Sequence, residues 1–134
     1  MGAMRFPCLH RMFHDPAWRA RWGFLTGVLA LVVGLAALAP GDVATALSPN
    51  DKLNHLLAFT ALAASGGLAL RSGWRATLIV AAGMLAYGGF IELAQTQVPG
   101  RLGEWADLLA DSAGVVLGLV LVLALRQIWR DHER

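Results

Sequence analysis

The chain has 134 residues, of which 57% are hydrophobic and 15% charged, with a formal net charge of +2. A soluble domain of this size would carry about 25% charged residues, and four apolar runs leave almost no chain for one. Composition therefore excludes a soluble globular domain, and the single cysteine, Cys8, excludes an internal disulfide and a thiolate metal site.

Residues 1–21 carry Arg5, Arg11, Arg19 and Arg21, with His10 and His14 between them. Phe6, Phe13 and Trp18 are interleaved, and Trp22 follows. A basic, aromatic segment ahead of an apolar run suits the headgroup region on the cytoplasmic side of a membrane. The segment is read as interfacial, and no nucleic-acid partner is expected. His10 and His14 have the spacing of one helical face. Asp15-Pro16 is expected to break that segment, which leaves them as surface histidines.

The first apolar run, Trp22 to Ala39, ends at Pro40-Gly41. About 18 helical residues rise roughly 27 Å, close to the thickness of the hydrocarbon layer. Ala37-Leu38-Ala39 has the small-x-small form of a signal-peptide cleavage site. Three further apolar runs favour a retained span.

A polar loop, Gly41 to Asn50, precedes the second run. Ser48 is expected to cap the next helix, with Pro49 at its first position and Asp51 completing a near capping box. The second span is placed at Leu53 to Leu70. Asp51, Lys52, Asn54 and His55 stand in its first turns, and it ends at Arg71-Ser72-Gly73.

The third span is placed at Ala76 to Gln97. Gly83, Gly88 and Gly89 keep it thin, which permits close helix approach in lipid. Tyr87 and Glu92 interrupt its apolar character. Pro99-Gly100 reads as a turn. The fourth span is placed at Trp105 to Trp129. Its Gly114 and Gly118 form a small-xxx-small pair, expected to pack inside one bundle, with homodimerisation as the alternative use.

Positive charge sorts by side. With the N-terminus inside, Arg5, Arg11, Arg19, Arg21, Arg71, Arg75, Arg126, Arg130 and Arg134 fall on the cytoplasmic side, and only Lys52 and Arg101 fall outside. The positive-inside rule then puts both termini in the cytoplasm. Residues 1–21 form the interfacial segment, 22–130 the four-span domain and 131–134 a cytoplasmic tail. The expected fold class is all-α, an integral membrane bundle with lipids as its surroundings.

On this topology three polar pairs share one membrane face. Asp51 and His55, Glu92 and Gln95, and Asp107 and Asp111 each lie three or four residues apart, on one face of their helix. An ionisable group at membrane depth is a functional hypothesis by default. Three readings compete: mutual structural pairing, Arg101 included; a binding pocket open to the outside; or chemistry. A histidine with several carboxylates can act as general acid and base, or hold a divalent metal. There is no HExxH, nucleophile elbow or phosphate loop, so no catalytic residue, metal or cofactor is assigned. The candidate ligand-binding set is Asp51, Lys52, His55, Glu92, Gln95, Arg101, Asp107 and Asp111. Arg101 is expected to pair with Glu92, Asp107 or Asp111. Glu92, His55 and Asp111 are expected around one cavity.

The same residues resemble a family pattern. Asp51-Lys52-x-x-His55-x-x-x-Phe59, then Glu92-x-x-Gln95, then Pro99-Gly100-Arg101, then Asp107-x-x-x-Asp111-x-x-Gly114-x-x-x-Gly118 together resemble the VanZ-like family, over roughly residues 20–126. Asp111 stands where Asn is expected in many relatives, so this chain adds an acid there. The resemblance implies a multi-pass protein of the bacterial cytoplasmic membrane. The family's founding member is associated with resistance to teicoplanin. The function expected here is binding of an envelope-associated amphiphile, such as a lipid-linked precursor or lipopeptide. The alternative is a membrane-embedded hydrolase or transferase using the same groups.

Overall fold

Asp15 and Pro16 start a helix rather than break one. In the computed structural model, which describes residues 15–43 and 50–132, the Asp15 side chain accepts a hydrogen bond from the Ala17 amide at 2.8 Å. Pro16 occupies the first helical position, where a missing N–H costs nothing. Helix α1 is Pro16–Ala37. Trp18, Arg19 and Arg21 thus belong to its first turns, and Arg21 lies over the Trp18 ring at 5.0 Å. The expected N-terminal features at Arg5, Cys8, His10, Arg11 and His14 lie outside the described residues.

Helix α2 is Asp51–Ala69. Its cap is Asn50, whose side chain accepts from the Leu53 amide at 3.1 Å. This corrects the capping expected at Ser48-Pro49, a pair that lies outside the described residues. Helix α3 is Trp74–Gln95 and helix α4 is Trp105–His132. The turn between them needs Gly100, which has φ +74°, a left-handed backbone that a side chain would strain.

Among the described residues, three helices are long and apolar enough to cross a membrane: Pro16–Ala37, Trp74–Gln95 and Trp105–Arg130. Helix α2 is not among them. Its polar first turns dilute an otherwise apolar sequence, so the expectation of four apolar spans holds for three. Instead α2 is the central element. His55, Phe59, Leu62, Ala63, Ser65, Gly66, Gly67 and Leu68 are all buried on it, and α1 buries none. Such burial on several sides of one helix requires neighbours on several sides.

The closest neighbour is α4. A Cβ at Gly114 would meet the Leu56 carbonyl, and one at Gly118 would meet the Thr60 carbonyl, both well inside contact distance. The two glycines let the backbones of α4 and α2 touch. They are therefore spent on packing inside the bundle, not on the homodimer considered above. Phe59, Leu62, Ala63, Val80, Ile91, Val115 and Leu119 fill the core between α2, α3 and α4. The other faces of the three apolar helices carry exposed Phe24, Leu31, Leu35, Ile79, Leu93, Val116 and Ile128, the surface a membrane protein offers to lipid.

Polar contacts tie the remaining elements. Thr26 donates to Ser65 at 3.0 Å between α1 and α2, and Tyr87 donates from α3 to the Ala30 carbonyl of α1. Arg126 donates to the Gly67 and Leu70 carbonyls at 2.7 and 3.0 Å, so a cation meets the carbonyl end of α2.

A buried histidine and carboxylate cluster as candidate functional site

The start of α2, the end of α3 and the start of α4 meet at the loop formed by residues 96–104. Each brings an ionisable side chain inward. His55 lies one turn into α2, Glu92 lies one turn before the end of α3, and Asp111 lies nearly two turns into α4. His55 Nδ1 is 2.8 Å from Asp111 Oδ1 and 4.0 Å from Glu92 Oε1. With Asp111 ionised, the Nδ1–H donates to it. The Asp111 side chain is 0% exposed and that of Glu92 is 12% exposed.

Room for Asp111 comes from Gly88. A Cβ on Gly88 would lie 2.6 Å from Asp111 Oδ2. This glycine, read from sequence only as a thin part of α3, is the gap into which the carboxylate fits. Glu92 is held from the loop, where its Oε2 accepts from the Glu104 amide at 2.8 Å. The loop is also fastened to the segment after α1, because the Gly41 amide donates to the Pro99 carbonyl at 3.3 Å.

Above this buried group stands a charged rim. Lys52 Nζ is 3.1 Å from Glu104 Oε2 and 3.5 Å from Asp107 Oδ1. The Lys52 ammonium donates a hydrogen bond to the Glu104 carboxylate and faces the charge of Asp107. Arg101 Nη1 lies 3.4 Å from Asp51 Oδ2. The expected partners of Arg101 were Glu92, Asp107 and Asp111. The structure corrects this to Asp51, since Arg101 follows the turn and reaches back to the first residue of α2.

Gln95 departs from the expected set differently. It is fully buried, and its Nε2 donates to the Ala37 carbonyl at 3.0 Å. It bonds the end of α1 rather than the charged groups. The structure brings the other seven, Asp51, Lys52, His55, Glu92, Arg101, Asp107 and Asp111, into one cluster at the loop end. Glu104, absent from the expected set, joins them through both its amide and its carboxylate. Only its position beside the turn hinted at this, because a loop residue has no helical face to share.

Charge is unbalanced. Among the described residues, Asp51, Glu92, Glu104, Asp107 and Asp111 share two fixed cations, Lys52 and Arg101. Several oxygens lack partners. Among the described residues, Glu92 Oε1 and Asp111 Oδ2 are buried without a hydrogen bond, and Asp107 Oδ1 has the longer contact to Lys52. Buried polar atoms are nearly always paired, so such atoms call for a positive or hydrogen-donating partner. The centre is closed and the solvent-exposed part is the rim, with Lys52 55% and Glu104 52% exposed. A separate groove of about 590 Å³ lies at the other end of the bundle, between Trp74, Leu78, Leu123, Arg126 and Trp129, and shares no residue with the cluster.

Fold and cluster together define a helical membrane protein with a polar knot at one end. The chain belongs to the VanZ/LLP1 family, whose model matches residues 10–126. That match takes in all four helices except the last turns of α4. No curated protein and no solved structure matches the chain.

Proposed function

We propose that the chain crosses the bacterial cytoplasmic membrane four times, α2 included, with both termini inside and the cluster facing outward. There it recognises the polar head of an envelope-associated amphiphile, such as a lipid-linked precursor or a lipopeptide. The split of positive charge supports the orientation. Helix α2 is long enough to cross, since 19 residues rise roughly 28 Å. It can tolerate polar residues because its neighbours shield it from lipid.

The observation that carries the binding reading is the cluster itself. Charged groups that served only to hold the helices together would be paired throughout, and here Glu92 Oε1 and Asp111 Oδ2 are not. Lys52 and Arg101 are already engaged by acids, so the spare capacity belongs to carboxylates. A link to antibiotic susceptibility belongs to the same reading, because an amphiphile bound at the outer face is what a cell-wall antibiotic meets.

The test is direct binding to the full chain in lipid nanodiscs. A lipid-linked cell-wall precursor and teicoplanin serve as separate probes. Glu92→Gln should weaken binding of at least one probe, while Arg130→Ala at the other end should not. Failure of both probes to bind the wild type, or equal binding by both variants, removes the proposal.

A further inference from the structure

We propose that His55, Glu92 and Asp111 form a binding site for one divalent first-row transition-metal ion. The assignment stands on the geometry of the cluster and does not depend on the amphiphile reading. Three helices each supply one ligand atom, and these atoms lie within 4.8 Å of one another. Bonds of about 2.0–2.2 Å at tetrahedral angles place ligand atoms roughly 3.3–3.6 Å apart, so the 4.0 Å between His55 Nδ1 and Glu92 Oε1 must close by about half an ångström and the 2.8 Å between His55 Nδ1 and Asp111 Oδ1 must open by a similar amount.

Two further observations point to a cation. Asp111 is wholly buried, yet its Oδ2 has no hydrogen-bond partner, and Glu92 Oε1 is likewise buried and alone. Leaving a buried carboxylate oxygen unpaired is costly, and metal coordination removes that cost. The fixed cations do not serve these atoms. Lys52 is taken by Glu104 and Asp107, and Arg101 by Asp51. Among the described residues, His55 is the one basic group that reaches Glu92 and Asp111.

The surroundings resemble a supporting shell. The second oxygen of Glu92 is fixed by the Glu104 amide at 2.8 Å, and Gly88 gives Asp111 its place. Asp51 and Asp107 form a second candidate set around the same His55, so negative charge continues outward to the rim. Such outer partners orient metal ligands and tune their affinity. The ion takes the place of the Nδ1 proton that otherwise faces Asp111, so that proton leaves Nδ1, and the coordinated neutral imidazole carries its proton on Nε2. One nitrogen and two carboxylates suit Zn²⁺ or Mn²⁺ rather than a thiolate-seeking ion. Three protein ligands leave a coordination position for water or a ligand oxygen.

The experiment uses the full chain in detergent, stripped with chelator and then equilibrated with Zn²⁺ or Mn²⁺ alone. Elemental analysis after desalting should find one ion per chain for at least one of the two metals. Both His55→Gln and Glu92→Gln should lower affinity by at least the roughly 10- to 100-fold that losing an outer-shell partner costs, because each removes a direct ligand. Glu92→Gln keeps side-chain volume, so it reports even where His55→Gln fails to fold. In the Co²⁺-loaded wild type, visible absorption bands should appear that Glu92→Gln alters. Substoichiometric metal on the wild type overturns the proposal. Equal uptake by wild type and Glu92→Gln overturns it too, because the ion is then held elsewhere.

Discussion

Replacing Asp111 by Ala tests the buried centre most severely. The substitution removes the hydrogen bond between His55 Nδ1 and Asp111 Oδ1 at 2.8 Å and leaves Glu92 at 4.0 Å from the same nitrogen. Breaking a buried pair by deleting one member costs about 3–5 kcal/mol, because the other is left desolvated and alone. Asp111→Asn keeps the shape and an oxygen that can accept from Nδ1–H. It loses only the difference between a charged and a neutral hydrogen bond, about 1–2 kcal/mol. At about 2–8 °C per kcal/mol, the two variants should differ clearly in melting temperature. The assay is tryptophan-fluorescence melting in detergent with chelator present, so that bound metal contributes nothing. A double-mutant cycle with His55→Ala isolates the pair, and the expected coupling is about 1–3 kcal/mol. Equal melting temperatures for Asp111→Ala and Asp111→Asn, with no coupling to His55, would refute the buried pair.

Three further outcomes follow from other parts of the bundle. Gly118→Leu should destabilise the fold by more than about 3 kcal/mol, since the new side chain must enter the Thr60 backbone of α2 rather than an adjustable side chain. A melting temperature like that of the wild type would mean the α2–α4 contact is wrong. Arg101→Ala should cost more than the roughly 0–1 kcal/mol of a fully exposed pair but less than Asp111→Ala, because the Arg101 side chain is 11% exposed while its partner Asp51 is 43% exposed and partly screened by water; a loss equal to that of Asp111→Ala would show that Arg101 serves the buried centre. In a Cys8→Ser background, an impermeant thiol reagent should label Thr45→Cys on intact cells and Ser72→Cys only after the cells are opened. The reverse pattern would invert the topology.

Much of this protein is written locally. Apolar runs separated by Pro40-Gly41, Arg71-Ser72-Gly73 and Pro99-Gly100 are enough to place the helices, because hydropathy and turn chemistry act within a few residues. The i, i+4 spacings of Asp51 with His55, and of Asp107 with Asp111, likewise put each pair on one helical face without any knowledge of the fold. Helix ends were less legible. Asp15-Pro16 and Asn50 cap helices that sequence reading started elsewhere, since several adjacent polar residues can each satisfy the same amides.

Only the tertiary structure decided which faces meet. Local pattern could not tell that α2, the one described helix of such length without a membrane-length apolar window, is the central one, because its burial is supplied by α1, α3 and α4 and not by its own composition. It could not choose between Asp51 and the inner acids for Arg101, since that depends on how the 99–104 loop folds back. It could not show that Gln95 turns to the Ala37 carbonyl, or that the absent side chain of Gly88 makes space for Asp111. Each of these is a contact between residues far apart in the chain, and spacing along a helix carries no information about what stands across from it.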